Sequence, residues 1–102
     1  MSFLNDRPLG EAIEDTILIS LTERDRTICD TWNRDAALAQ PFGIKAELAQ
    51  DEVEEVTKGI KELEGKELLI QDAIKVEFLK GDVRERKGNF TLIYRYKYLE
   101  GL

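Results

Sequence analysis

The chain has no histidine, one cysteine (Cys29) and only two prolines. Without histidine there is no imidazole base, no Ser–His or Cys–His nucleophile and no zinc site of mixed Cys and His ligands. A single thiol cannot close a disulfide within the chain, and it fits a cytosolic site of synthesis. Long apolar runs are also missing. Stretches such as Ile17-Leu18-Ile19 fall far short of the roughly 20 residues that span a bilayer. The first eight residues, Met1 to Pro8, lack a basic start followed by an apolar run, so no secretory signal is expected there. Gly43, Gly81 and Gly88 do not form a phosphate-binding spacing, and no repeat or linker-like tract divides the chain.

What is present is one domain's worth of patterned sequence. The 102 residues are 42% hydrophobic and 35% charged, too apolar for a disordered acidic tail and too short for two catalytic halves. A single domain over 1–102 is expected. The net charge of −6 disfavours non-specific nucleic-acid binding, because a phosphate backbone would be repelled. Charge is also unevenly divided: residues 1–44 and 45–67 each carry −4, whereas 68–102 carry +2. An acidic helical part beside a mildly basic C-terminal part favours charge-complementary docking to protein neighbours.

Periodicity predicts an α+β fold. Asp6 and Pro8 form a helix-start signal, and Leu9, Ala12, Ile13, Thr16, Ile17, Ser20 and Leu21 recur at three- and four-residue spacing. That predicts a first helix over 8–21. Thr22 with Asp25 three residues on offers a new cap, and Ile28 and Trp32 share a face, predicting a second helix over 23–34. Pro41 and Gly43 turn the chain within 36–44. Ala46, Ala49, Val53, Val56, Ile60 and Leu63 then form one narrow apolar seam, predicting a long helix over 45–67 whose other faces, Glu52 among them, are solvated. Beyond it the period drops to two. Ile74, Val76 and Phe78, then Leu92, Tyr94, Tyr96 and Tyr98, predict a C-terminal antiparallel hairpin with arms near 69–79 and 89–99. Its tip would be the charged segment Val83 to Arg86, bounded by Gly81-Asp82 and Lys87-Gly88-Asn89.

Few constellations point to chemistry. Glu52 and Glu55 stand three apart, but carboxylate runs on a helix are usually solvated faces. Cys29 has no partner that would activate it, and Trp32 reads as a core or interface anchor. The Tyr94-Arg95-Tyr96-Lys97-Tyr98 alternation has the look of a strand that stacks single-stranded nucleic acid. A buried tyrosine row with a basic outer row is the stronger reading. That outer row is Thr91, Ile93, Arg95 and Lys97. No catalytic, metal or cofactor residue is expected, and no small-molecule substrate or membrane partner.

The order of elements resembles a known family. A first helix carrying Ala12-Ile13-Glu14-Asp15-Thr16-Ile17-Leu18-Ile19-Ser20-Leu21-Thr22 is followed by a longer helix ending near Leu69. A hairpin then closes in Phe90-Thr91-Leu92-Ile93-Tyr94-Arg95-Tyr96. This is similar to the small baseplate-wedge, or sheath-initiator, proteins of contractile phage tails and related injection machines. The resemblance implies a non-enzymatic structural component of the virion's tail baseplate, made in the host cytoplasm. Its closing strands would pair with extended arms of sheath subunits, and other faces would bind baseplate proteins. Members carry Glu-Pro-Arg where the long helix meets the first strand; here that place reads Lys66-Glu67-Leu68-Leu69-Ile70, retaining Glu67. The expected protein-binding residues are thus Thr91, Ile93, Arg95, Lys97 and Glu67, acting by β-strand addition. A second likeness joins Glu47-Leu48-Ala49 and the stretch Val56 to Leu69 to the helix pair and wing entry of winged-helix regulators, which bind DNA or a protein partner.

Overall fold

The computed structural model describes residues 3–28 and 34–101. Two of the residues singled out above, Cys29 and Trp32, lie outside the described residues. Helix α1 spans Leu9–Ile28 and a short α2 spans Arg34–Leu38. Strand β1 (Phe42–Leu48) leads through a 3-10 turn, Gln50–Glu52, into helix α3 (Val53–Leu63). Strands β2 (Glu67–Ile70), β3 (Ile74–Arg86) and β4 (Asn89–Glu100) complete the chain. The strands form one antiparallel sheet in the order β1-β4-β3-β2.

The α+β class stands, and three boundaries are corrected. The helices expected at 8–21 and 23–34 join through Thr22 into α1, at least as far as Ile28. Thr22 does not cap a new helix because its hydroxyl donates to the Leu18 carbonyl one turn back at 2.8 Å, and Thr27 does the same to Glu23 at 3.0 Å. The long helix expected over 45–67 is strand at its start and helix only from Val53. Ala46 satisfies both periods, and the alternation Phe42, Ile44, Ala46, Leu48 prevails because all seven residues of β1 pair with β4, from Phe42↔Tyr96 to Leu48↔Phe90. The expected two-stranded hairpin is therefore part of a four-stranded sheet.

Its first arm is also two strands. Glu67–Ile70 reverses and pairs with Ile74–Glu77, after which β3 continues to Arg86. Gly81-Asp82 and the segment Val83–Arg86 are strand, paired as far as Arg86↔Asn89, so the turn is confined to Lys87-Gly88. Both residues have positive φ (52° and 80°), the backbone that a two-residue antiparallel turn needs and that glycine adopts without strain. An irregularity between Phe78 and Lys80 lets Leu79 bulge and keeps Phe78 and Gly81 on the helix side. There Gly81 admits α3: a Cβ at that position would stand 2.2 Å from Ile60 Cγ2.

Helices α1 and α3 cover one face of the sheet. Leu92, Tyr94 and Tyr96 of β4 and Val76 and Phe78 of β3 are fully buried beneath Ile13, Ile17, Leu21, Val56 and Ile60. Burying each large aliphatic side chain contributes about 1.5–3 kcal/mol. Phe78 and Tyr94 stack with centroids 5.5 Å apart. The tyrosine hydroxyls find partners one helical turn apart on α1: Tyr94 with Thr16, and Tyr96 with Ser20 at 2.8 Å. Desolvation by burial pushes the Tyr94 phenol above its ordinary range, with the Thr16 bond acting against that shift and Tyr96 adding to it.

Glu52 departs from its expected solvated position. It is 5% exposed, and its carboxylate accepts from the backbone N–H groups of Phe3 (3.1 Å), Leu4 (2.7 Å) and Ala49 (2.9 Å). It thus ties the N-terminal segment to the entry of α3, and Leu4 completes the core beside it. Replacing Glu52→Ala strands three buried or half-buried donors. Stability is expected to fall by about 2–3 kcal/mol in urea unfolding, with faster amide exchange at Leu4.

Because Tyr94 favours its neutral form when folded, the stability it confers is complete below the ordinary tyrosine pKa of about 10 and is lost as pH rises beyond it. Tyr94→Phe should cost about 1 kcal/mol at neutral pH through the lost Thr16 bond, and should flatten the alkaline fall in melting temperature.

Candidate protein-docking face

The face of the sheet turned away from α1 and α3 carries all five residues singled out by sequence. Along β4, Thr91, Ile93, Arg95 and Lys97 alternate with buried Leu92, Tyr94, Tyr96 and Tyr98, so the outer row points away from the helices. Glu67, exposed at the start of β2, lies opposite Glu77 of β3, which lies opposite Lys97. Glu67 and Lys97 therefore share one cross-strand row.

Register extends each position into such a row. Thr91 lies between Glu47 and Arg84, Ile93 between Lys45 and Asp82, and Arg95 between Gly43 and Lys80. Gly43 contributes no side chain, and a shallow depression of about 390 Å³ opens there among Lys80, Arg84, Ile93 and Arg95. Toward the other end of the sheet stand two exposed apolar side chains, Leu69 on β2 and Leu99 on β4.

The electrostatics of this face are unbalanced at its centre. Lys80 and Arg95 are directly opposed and both exposed. Ion pairs on this side join Arg84 to Asp82 (3.7 Å) and Lys75 to Glu100 (3.3 Å), and among the described residues neither Lys80 nor Arg95 shares one. One row away, Glu67 and Glu77 are like charges opposed across β2 and β3. Directly opposed like charges cost stability in a sheet, and nothing in the fold requires them at these positions. An acidic group above Lys80 and Arg95, and a basic one above Glu67 and Glu77, would relieve both.

The mode of docking expected from sequence is corrected here. β4 is an inner strand: β1 holds one side of Phe90–Tyr96 and β3 the other. Its main-chain groups are already used, so no foreign strand adds alongside Thr91, Ile93 or Arg95, and these residues offer side chains only. Sequence reasoning also missed Gly43, Lys45 and Lys80 as parts of the face. The period-two signal of Phe42, Ile44, Ala46 and Leu48 would have found the first two. Glu47 and Leu48, expected in the winged-helix reading to belong to the helix before α3, are strand residues of β1.

Among the described residues no cluster of His, Cys, Asp or Glu is placed to hold a metal ion, and no helix is long and apolar enough to cross a membrane. Removing one of the opposed cations should be favourable: Lys80→Glu sets an acid opposite Arg95 and is expected to raise stability by about 0.5 kcal/mol in urea unfolding. Compared with protein-family models, curated proteins and solved structures, the chain matches none of them.

Proposed function

We propose that the chain is a non-enzymatic structural component that docks neighbouring protein subunits through the open face of its sheet, as a baseplate part of a contractile phage tail or related injection machine. The observation that carries the docking role is the opposed pair Lys80 and Arg95 beside the side-chain-free Gly43, on a face that no element of the described chain covers. Proteins keep locally unfavourable charge where a partner uses it, so stability lost in the free chain becomes selectivity in the complex. The four β4 residues with Glu67 would contact sheath and baseplate neighbours, and the assignment to a tail particle rests on the sequence resemblance alone, since strand β1 and an 11-residue α3 stand where that resemblance expected one long helix. Side chains supply this contact along β4. Main-chain pairing with a neighbour is left to the outer strands β1 and β2 and to the end of β4 beyond Tyr96.

The experiment is to isolate assembled particles from the native source and to follow incorporation of two variants, Lys80→Glu with Arg95→Glu, and Thr91→Ala as a mild control. Reversing both cations should reduce incorporation at least tenfold while circular dichroism stays unchanged, because like-charge juxtaposition across an interface costs several kcal/mol. Wild-type chain found free of any particle, or full incorporation of the reversed variant, overturns the proposal.

A further inference from the structure

The outer margin of β1 has an internal symmetry of its own. β1 is an edge strand, paired with β4 on one side and with no described strand on the other. Alternate residues of such a strand direct their N–H and C=O groups outward, leaving a template for another strand. Its last five residues read Ile44-Lys45-Ala46-Glu47-Leu48. About Ala46 this is a charge palindrome, with an apolar residue and a charge of one sign on one side matched by an apolar residue and the opposite charge on the other.

We infer that the β1 edge pairs antiparallel with β1 of a second copy of this chain, about a two-fold axis passing through Ala46. In that register Lys45 opposes Glu47 of the second copy and Glu47 opposes its Lys45, both on the open face where these side chains are exposed. Ile44 opposes Leu48 on the helix face. Moving the two-fold one residue along the strand in either direction opposes Lys45 with Lys45, or Glu47 with Glu47, so neighbouring registers are repelled. Lysine on an edge usually discourages pairing. Here the glutamate two residues on converts that deterrent into a selection for one partner, a copy of the same strand, and a self-complementary patch is what a closed two-fold dimer requires.

An exposed apolar groove adjoins this edge. Two of the large exposed hydrophobic residues, Ile19 on α1 (60% exposed) and Phe42 on β1 (38%), lie beside Ile44 along a groove between the helix and the strand edge. In the register about Ala46 this groove and its symmetry mate lie on opposite sides of the axis, each beside the Leu48 end of the other strand. The axis stands perpendicular to the sheet. Both open faces then lie on the same side of an eight-stranded sheet, and pairing leaves Thr91, Ile93, Arg95 and Lys97 uncovered. The inference goes beyond the docking role and is independent of it, since it needs no other protein.

Sedimentation equilibrium of the purified full chain, at micromolar to millimolar concentration, provides the test. Wild type should sediment at twice the 11.7 kDa chain mass at the upper end of that range. Lys45→Glu and Glu47→Lys, each alone, should weaken association at least tenfold, because each creates two like-charged pairs across the axis. Mixing the two variants in equal amounts should restore it, since every cross-axis pair is then of opposite sign, and the double swap within one chain should do so too. Both sites are exposed, and unchanged circular dichroism confirms that the variants remain folded. Wild type monomeric throughout, single variants associating as wild type does, or a mixture no better than its parts would each overturn the inference. Particle incorporation is scored separately, so failure here leaves the docking experiment to stand or fall alone.

Discussion

The placement of β4 between β1 and β3 is the constraint on which the other features depend. Once the Tyr94 and Tyr96 rings are buried beneath α1, their hydroxyls must find partners, and Thr16 and Ser20 supply them one helical turn apart. That fixes the helix along the strand. With its inner face committed to the core and both backbone edges of Phe90–Tyr96 committed to neighbours, that part of β4 can meet another molecule only through its outer side chains. The open face follows from the core rather than being added to it.

Corners of the fold reinforce this arrangement. Glu52 gathers three backbone donors and ties the N-terminal segment to the entry of α3. Lys61 reaches from α3 to the Gly81 carbonyl at 3.1 Å, on the strand that bulges at Leu79. Arg24 donates to the Ala37 carbonyl at 3.0 Å and lies 4.5 Å over the Phe42 ring, so α1, the end of α2 and the start of β1 meet at one guanidinium. The sheet is therefore clamped near both ends, and its edge at β1 is presented in a defined position. Charge division matches the layers: the mildly basic C-terminal third supplies most of the open face, and much of the acid lies on the helices behind it.

Physical chemistry also separates the two ways in which this chain can meet others. Across the open face, opposed like charges would favour a partner of complementary charge and contribute more to specificity and encounter rate than to raw affinity. Along β1, main-chain hydrogen bonds would supply affinity and alternate charges the register. The two surfaces adjoin at Gly43 and share the Lys45 side chain, while Lys80, Arg95 and the rest of the β4 outer row lie away from the β1 edge.

Much was legible from periodicity alone. The apolar spacing from Leu9 to Leu21 marks α1, the Val53–Leu63 seam marks α3, and the tyrosine alternation separates an inner from an outer row on β4, because a side chain's face follows directly from its place in a helix or strand. The five expected contact residues lie on the open face of the sheet, where Gly43, Lys45 and Lys80, which the sequence reading missed, stand beside them. What local pattern could not decide was competition between periods. Ala46 fits a helical seam as well as an alternating strand, and only pairing with β4, some fifty residues away in sequence, resolves it. The same long-range pairing turned β4 from an edge into a centre and set Gly43 beside Arg95, while the irregularity in the β3–β4 pairing opposed Lys80 with Arg95. Thr22 as cap or helix interior, and Glu52 as solvated or buried, were likewise decided by partners that no local window contains. Facing is a property of neighbouring residues, whereas edge, centre and cross-strand company belong to the sheet as a whole.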